Sequence, residues 1–317
     1  MTMERSTRIY VAGHRGVVGS AIERRLRAAD FDDLILRTRQ ELDLQDRAQV
    51  EALFAATRPE VVIIAAARVG GIAANMANPV DFLIQNLEIQ NNLMLACHRF
   101  DVETTMFLGS SCIYPREAPQ PMKEEYFMHG PVEPTNESYA VAKIAGIRLA
   151  QSLHAQYGMR VLCPMPCNVY GRGDHFEFER SHVVSALVRR FVEARDEGVP
   201  SVTVWGSGNA RRELLHTDDV ADACLFLLER YDRPDIINVG SGVDFSIREL
   251  AETIADLVGY DGDIVWDTSK PDGMPQKLLD VSRLQSLGWR SRIELREGLS
   301  GVIEDFRRRY SATPASA

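Results

Sequence analysis

Tyr139 and Lys143 stand four residues apart in a helix-forming stretch, so a phenol and an ammonium share one helix face. A neighbouring cation favours phenolate over phenol, whose ordinary pKa is roughly 10. Tyr139 is therefore expected to be a usable proton donor near neutral pH. The spacing alone is common among exposed helix pairs. It gains meaning from the upstream turn Gly109-Ser110-Ser111-Cys112-Ile113-Tyr114-Pro115, which adds a hydroxyl and a thiol, and from a nucleotide-binding pattern at the N-terminus.

That pattern is a short apolar strand, Arg8–Ala12, followed by Gly13-His14-Arg15-Gly16-Val17-Val18-Gly19 and a helical stretch through Ala29. The first glycine permits a tight turn, the second lets backbone approach a pyrophosphate, and the third lets helix pack on strand. The second strand, Asp33–Leu36, ends in Arg37-Thr38-Arg39, where a ribose 2'-hydroxyl would call for an acid. No acid stands there, and with Arg15 three guanidinium groups are available for a 2'-phosphate. NADP(H) is the expected cofactor.

The elements that must carry these groups alternate: a strand at Val61–Ala66, a helix from Asp81 to Phe100, a strand at Thr105–Leu108, a helix at Ser138–Tyr157 and a strand at Arg160–Cys163. Such alternation predicts an α/β fold, a Rossmann-type doubly wound parallel sheet with a smaller α/β substrate-binding lobe. Thr217-Asp218-Asp219 is expected to start a helix before the strand Ile236–Val239, and Ser246-Ile247-Arg248-Glu249 reads as a capping box opening a helix to Leu257. Residues 1–165 with about 215–244 form the expected NADP-binding domain. Residues 166–214 and 245–311 interrupt the alternation and are expected to pack as the second lobe, leaving 312–317 as a flexible tail.

The 317 residues carry a formal charge of −9, which argues against nucleic acid and anionic membrane as partners. Five cysteines, Cys97, Cys112, Cys163, Cys167 and Cys224, lack metal-knuckle spacing, so reduced thiols in a cytoplasmic protein and no metal site are expected. The first seven residues lack an apolar leader, and the longest apolar run, Val61–Ala67, falls short of a membrane span.

Taken together, the glycine turn, the Ser110/Cys112 turn and Tyr139/Lys143 resemble the extended short-chain dehydrogenases/reductases, which act largely on nucleotide sugars. Within that group the chain resembles the GDP-L-fucose synthase family. The likeness rests on Gly13–Gly16, Leu36–Arg39, Val69–Ile72, Gly109–Pro115, Glu133-Pro134-Thr135-Asn136-Glu137, Trp205-Gly206-Ser207-Gly208 and Lys270-Pro271-Asp272-Gly273, in that order.

The resemblance implies epimerisation of a GDP-4-keto-6-deoxy-D-mannose at C3 and C5, reduction at C4 with NADPH, and a homodimer. It places Cys112 and His182 as the proton-exchanging pair, Ser110 and Tyr139 on the C4 oxygen, and Lys143 on the nicotinamide ribose. It implies cofactor contacts from Gly13, Arg15, Gly16, Val17, Val18, Gly19, Arg37, Arg39, Leu108, Lys143, Pro166, Asn168, Val169 and His182. For the GDP-sugar it implies Arg190, Trp205, Arg212 and Asp272, with Lys277 reaching the diphosphate. Cys167 departs from the family, which commonly has Thr there. Two rival readings are a sister GDP-sugar C5-epimerase/4-reductase acting on another deoxy sugar and a non-catalytic NADP-binding regulator. Taken alone, Cys112 and Trp205 read as packing residues, His182 as a cap, and His216 as a histidine with no evident partner.

Overall fold

The computed structural model describes residues 3–177, 181–270 and 272–310. Pro271, part of the Arg172–Arg180 segment and the expected tail lie outside the described residues. The first half alternates as β1 (Ile9–Ala12), α1 (Val17–Arg27), β2 (Leu34–Ile35), α2 (Arg47–Thr57), β3 (Val61–Ile64), α3 (Ile72–Ala77), α4 (Pro79–Arg99), β4 (Thr104–Phe107), α5 (Glu137–Tyr157) and β5 (Arg160–Pro166). The second half runs β6 (Asn168–Tyr170), α6 (Val183–Glu197), β7 (Ser201–Trp205), β8 (Arg211–His216), α7 (Thr217–Arg230), β9 (Ile236–Val239), β10 (Asp244–Ser246), α8 (Ile247–Val258), β11 (Asp263–Asp267), β12 (Gln276–Lys277), α9 (Ser282–Ser286) and α10 (Leu295–Tyr310).

Six strands form one parallel sheet in the order β2-β1-β3-β4-β5-β9. Strands covered by helices on both faces must be apolar throughout, and every residue of Val61-Val62-Ile63-Ile64 is buried. One helix layer packs α1 on α7; the other packs α2, α4 and α5 side by side. The fold class read from the sequence is present. Boundaries differ in places: β2 is two residues long, α1 stops at Arg27, and β5 runs on through Pro164 and Pro166. Proline cannot donate to a ladder. Pro164 nevertheless fits because its carbonyl accepts from Gly109 N–H (2.9 Å) at the point where β4 leaves the sheet.

Two helix starts show how local chemistry sets an end. Ser246 and Glu249 complete the capping box of α8, as the sequence predicts. For α7 the cap is His216, whose Nδ1 accepts from Asp218 N–H at 3.2 Å, so this histidine has a partner that sequence reading left unassigned.

A second core gathers Phe191, Leu250, Ile254, Val302 and Phe306 from α6, α8 and α10. Beside it, β8 forms the centre of a small sheet, paired antiparallel with β10 and parallel with β12 and β6. One buried side chain ties this sheet region to the large one. Asn238 on β9 is fully buried; its Oδ1 accepts from the Tyr114 hydroxyl (2.5 Å), its Nδ2 donates to the carbonyls of Met122 and Asp280 (both 2.9 Å), and its N–H donates to Glu124 Oε1 (3.0 Å). Asn238→Ala removes three of these bonds; Met122 O keeps one from Asp280 N–H (2.8 Å), while the Tyr114 hydroxyl and Asp280 O lose theirs at about 1–3 kcal/mol each when buried, partly relieved by relaxation. Urea unfolding should show a loss of roughly 2–4 kcal/mol; a loss under about 1 kcal/mol would mean the network does not bind these segments.

Candidate active site

The C-terminal edge of the sheet is where ligands lie in open α/β folds. Here β4 ends at Phe107, and the chain turns through Ser110 into a single 3-10 turn, Ser111–Ile113. Ser110 caps that turn, its hydroxyl accepting from Cys112 N–H at 3.4 Å. Helix α5 presents Tyr139 and Lys143 to the same place. Lys143 is buried, donates from Nζ to Leu108 O at 2.8 Å, and lies 4.6 Å from the Phe107 ring centroid and 5.9 Å from that of Tyr139. Ser110 neighbours both the Tyr139 phenol and the Cys112 thiol and favours the anionic form of each. Ser110, Cys112, Tyr139 and Lys143 are thus brought together.

The electrostatics differ from the simple expectation. Burial pushes the Tyr139 phenol well above its ordinary value, a negative charge on Cys112 would push it further, and only Ser110 acts in the opposite direction. Tyr139 is therefore held protonated, which suits a proton donor but does not make it a phenolate at neutral pH. Burial lowers Lys143 to about 8. The Cys112 thiol is raised by burial, with Lys277, Ser110 and Lys143 opposing.

The glycine turn fits a dinucleotide. Gly13 has φ +86°, and a Cβ there would stand 2.7 Å from Ala66 backbone; one on Gly19 would stand 2.1 Å from Gly13 O. The N-terminus of α1 carries no side-chain cap and no acid in its first turn, so its N–H groups and positive dipole end are left for an anion. Arg37, exposed, donates to Leu36 O at 2.8 Å. Just past Arg37-Thr38-Arg39, Glu41 accepts from Thr38 N–H at 2.7 Å and its charge faces Arg37 and Arg15. The signal was present in Thr38-Arg39-Gln40-Glu41, a Thr-x-x-Glu pattern. Leu108 O is occupied by Lys143, Pro166 closes β5, Asn168 Nδ2 donates to Glu213 O at 3.0 Å, and Asn168 and Val169 pair with Leu214 and Leu215.

Arg190, Trp205, Arg212 and Lys277 stand on α6, β7, β8 and β12, and Asp272 in the stretch before β12. Trp205 ends β7 56% exposed, which rules out a core role, with Lys270 Nζ 5.7 Å over its ring. Arg190 reaches Thr203 O at 3.1 Å, and Arg212 holds Met274 O at 2.7 Å. Asp272 accepts from Ser207 N–H (2.7 Å) and Oγ (2.8 Å), so it fixes the turn after Trp205. Neither Ser207 nor Glu133, whose charge faces Arg212 and Lys277, was singled out by residue type. His182 is exposed at the N-cap of α6, with no side-chain hydrogen bond among the described residues; the Ser181 carbonyl beside it faces Gly71. The structure does not bring His182 into contact with Cys112.

Residues 9–240 match the NAD dependent epimerase/dehydratase family. The chain is 52% identical over 302 residues to a putative GDP-L-fucose synthase 2 of Arabidopsis thaliana, covering 95% of this chain and 92% of that protein. It is 51% identical over 308 residues to the GDP-L-fucose synthase of Escherichia coli strain K12, covering 94% and 96%. Its fold superposes on a crystal structure of a GDP-L-fucose synthetase from Naegleria fowleri bound to NADP, with TM-score 0.91 and 25% identity over 99% of this chain and 98% of that one.

Lys143 yields a test of this geometry. Its burial lowers its proton affinity from 10.5 to about 8, which costs the folded state roughly 3 kcal/mol while the ammonium is charged. Between those values the unfolded chain binds a proton that the folded chain has released, so this contribution to stability rises with pH. Relative to Lys143→Met, wild type should therefore gain up to about 3 kcal/mol between pH 8 and 10.5, read by urea unfolding of both proteins. A constant or shrinking difference would contradict burial of a charged Lys143.

Proposed function

The chain belongs to the NAD dependent epimerase/dehydratase family, and from that premise we propose that it converts GDP-4-keto-6-deoxy-D-mannose to GDP-L-fucose, epimerising C3 and C5 and reducing C4 with NADPH. The observation that carries this reading is the meeting of Ser110, Cys112, Tyr139 and Lys143 where the chain leaves β4. A ketone at C4 acidifies the protons on C3 and C5. Inversion needs proton removal on one face and return on the other.

Ser110 and Tyr139 donate hydrogen bonds to the C4 oxygen and stabilise the enolate formed when a ring proton leaves. Cys112 takes or returns the proton on its side of the ring, and His182, with the loop before α6, serves the other. Gly13, Arg15, Gly16, Val17, Val18, Gly19, Arg37, Arg39, Leu108, Lys143, Pro166, Asn168, Val169 and His182 would hold NADPH, which when bound would supply a hydride for C4. Tyr139, protonated in its buried setting, gives its proton to the C4 oxygen in that step. Lys143 holds the turn and reaches the nicotinamide ribose.

Residues 166–214 and 245–311 form the GDP-sugar lobe over the sheet edge of the NADP-binding domain. Trp205 stacks on the base, Arg190 and Arg212 face the diphosphate, and Asp272 holds the loop around it. The protein is a homodimer, joined through the outer face of α4 and α5, where Ile84, Leu95, Val141 and Tyr157 are exposed. Its five cysteines are free and buried, in keeping with a reducing, cytoplasmic setting.

The test is product analysis after incubation with NADPH and the 4-keto sugar, in wild type and in Tyr139→Phe. Wild type should yield the L-configured product with inversion at both carbons. Tyr139→Phe should lose at least 10²-fold in NADPH oxidation and bind GDP nearly as well. Wild-type reduction in the variant would remove Tyr139 from the mechanism, and a product inverted at C5 alone would assign the chain to a sister activity.

A further inference from the structure

Glu213 is an ionisable side chain that the proposed chemistry does not use. It lies on β8, fully buried, and among the described residues its carboxylate meets backbone N–H groups and pairs with no cation. Oε1 accepts from Gly242 N–H at 2.7 Å, in the turn after β9, and Oε2 accepts from Leu279 N–H at 2.9 Å, two residues past β12. The surroundings are closely fitted, since a Cβ on Gly240 would stand 2.1 Å from Oε1. Burying a carboxylate without a cation is costly, so the group needs a reason to be there.

What it joins is the pair of strands that carry Arg212 and Lys277. β12 is two residues long and lies parallel to β8, Gln276 beside Arg211 and Lys277 beside Arg212. So short a pairing needs holding from outside its own ladder. Side chains alternate along a strand and partners across a sheet share a face, so Arg212 and Lys277 stand together on one face, and Glu213 lies on the other with its partner Asp244. Asp244 accepts from Arg211 Nε at 2.9 Å and from Gln276 Nε2 at 2.7 Å, which fixes the entry of β12. Leu278 bonds to Gln120 and Met122 in the stretch before α5, whereas Glu213 ties the exit of β12 to β8 itself.

We propose that Glu213 is a positioning residue for the GDP-sugar: its carboxylate locks the exit of β12 to β8 and so sets Lys277 beside Arg212 as a pair of cations for the diphosphate. This rests on the reading that sends Arg212 and Lys277 to the diphosphate. Like charges facing each other on neighbouring strands repel, so the backbone has to hold them together until an anion receives both. A carboxylate suits this task because both of its oxygens accept. An amide in its place would turn an NH2 group onto the N–H of Gly242 or of Leu279, and one of the two ties would open.

The experiment measures affinity for GDP-mannose, a stable GDP-sugar, and for NADPH by calorimetry at pH 8, above the value of about 7 to which burial raises Glu213. Glu213→Gln should weaken GDP-mannose about tenfold and NADPH less than about threefold, because one buried N–H loses its acceptor beside the cations and not beside the glycine turn. Glu213→Asp, too short to span both N–H groups, should give the same loss if the Gln variant fails to fold. In a Lys277→Met background, itself weakened for GDP-mannose, Glu213→Gln should add less than about twofold, since the group it positions is gone. Equal losses for both ligands, losses that multiply in the double variant, or an unchanged GDP-mannose affinity in Glu213→Gln would each overturn the proposal. Unchanged affinity in Lys277→Met would instead remove Lys277 from the diphosphate, and the reading beneath the proposal with it.

Discussion

One charged hydrogen bond organises the site: the ammonium of Lys143, buried inside α5, donates to the carbonyl of Leu108 at the end of β4. That carbonyl lies one residue before the glycine from which the chain leaves the sheet, so the bond fixes where the Ser110–Cys112 turn begins relative to Tyr139, one helical turn before Lys143. Burying an ammonium is costly, and the cost shows as a proton affinity lowered to about 8. The fold carries this charge because the catalytic turn needs a rigid origin. A loop anchored only by its own backbone would let the hydroxyl, thiol and phenol drift by the ångström that proton transfer does not tolerate.

Burial has consequences for each group around that anchor. It raises Tyr139 and Cys112 together, which keeps the phenol ready to donate but works against the thiol as a base. A site that both epimerises and reduces needs the two responses to differ. Ser110 neighbours both and cannot separate them. The two groups differ in what opposes burial: Ser110 alone for Tyr139, and Lys277 and Lys143 with Ser110 for Cys112. The large sheet and α5 carry Ser110, Cys112, Tyr139 and Lys143, while Trp205, Arg212 and Lys277 stand on β7, β8 and β12, outside that sheet.

The parallel sheet was legible because Val61–Ile64 and its fellow strands are apolar without interruption, and the glycine turn because Gly13 and Gly19 leave no room for a Cβ. Tyr139 and Lys143 were legible as a pair through helical spacing. Their electrostatics were not, since spacing gives proximity but says nothing about burial, which decides the Tyr139 phenol. Asn238 was hidden for another reason. A single asparagine in an apolar strand looks like a minor interruption, and its four partners come from segments more than forty residues away in sequence. Glu41 stands three residues past Thr38 in a Thr-x-x-Glu pattern, beyond the end of β2 where a ribose-binding acid would stand. Trp205 shows the converse: residue type suggests core, and only its exposure at the end of β7 shows that it is not.

The account's central claim is that proton exchange at carbon and hydride addition at C4 share an oxyanion site but use different proton-transfer groups. The most direct measurement is NMR of the 4-keto sugar in heavy water with Cys112→Ser, with product configuration read alongside. A serine hydroxyl is a far weaker base at neutral pH than a thiol of ordinary pKa about 8.5. Deuterium uptake at C3 and C5 should fall by orders of magnitude, while NADPH still reduces the unepimerised ketone slowly to a D-configured product. Unchanged uptake at both carbons would contradict the claim and leave Cys112 a packed turn residue.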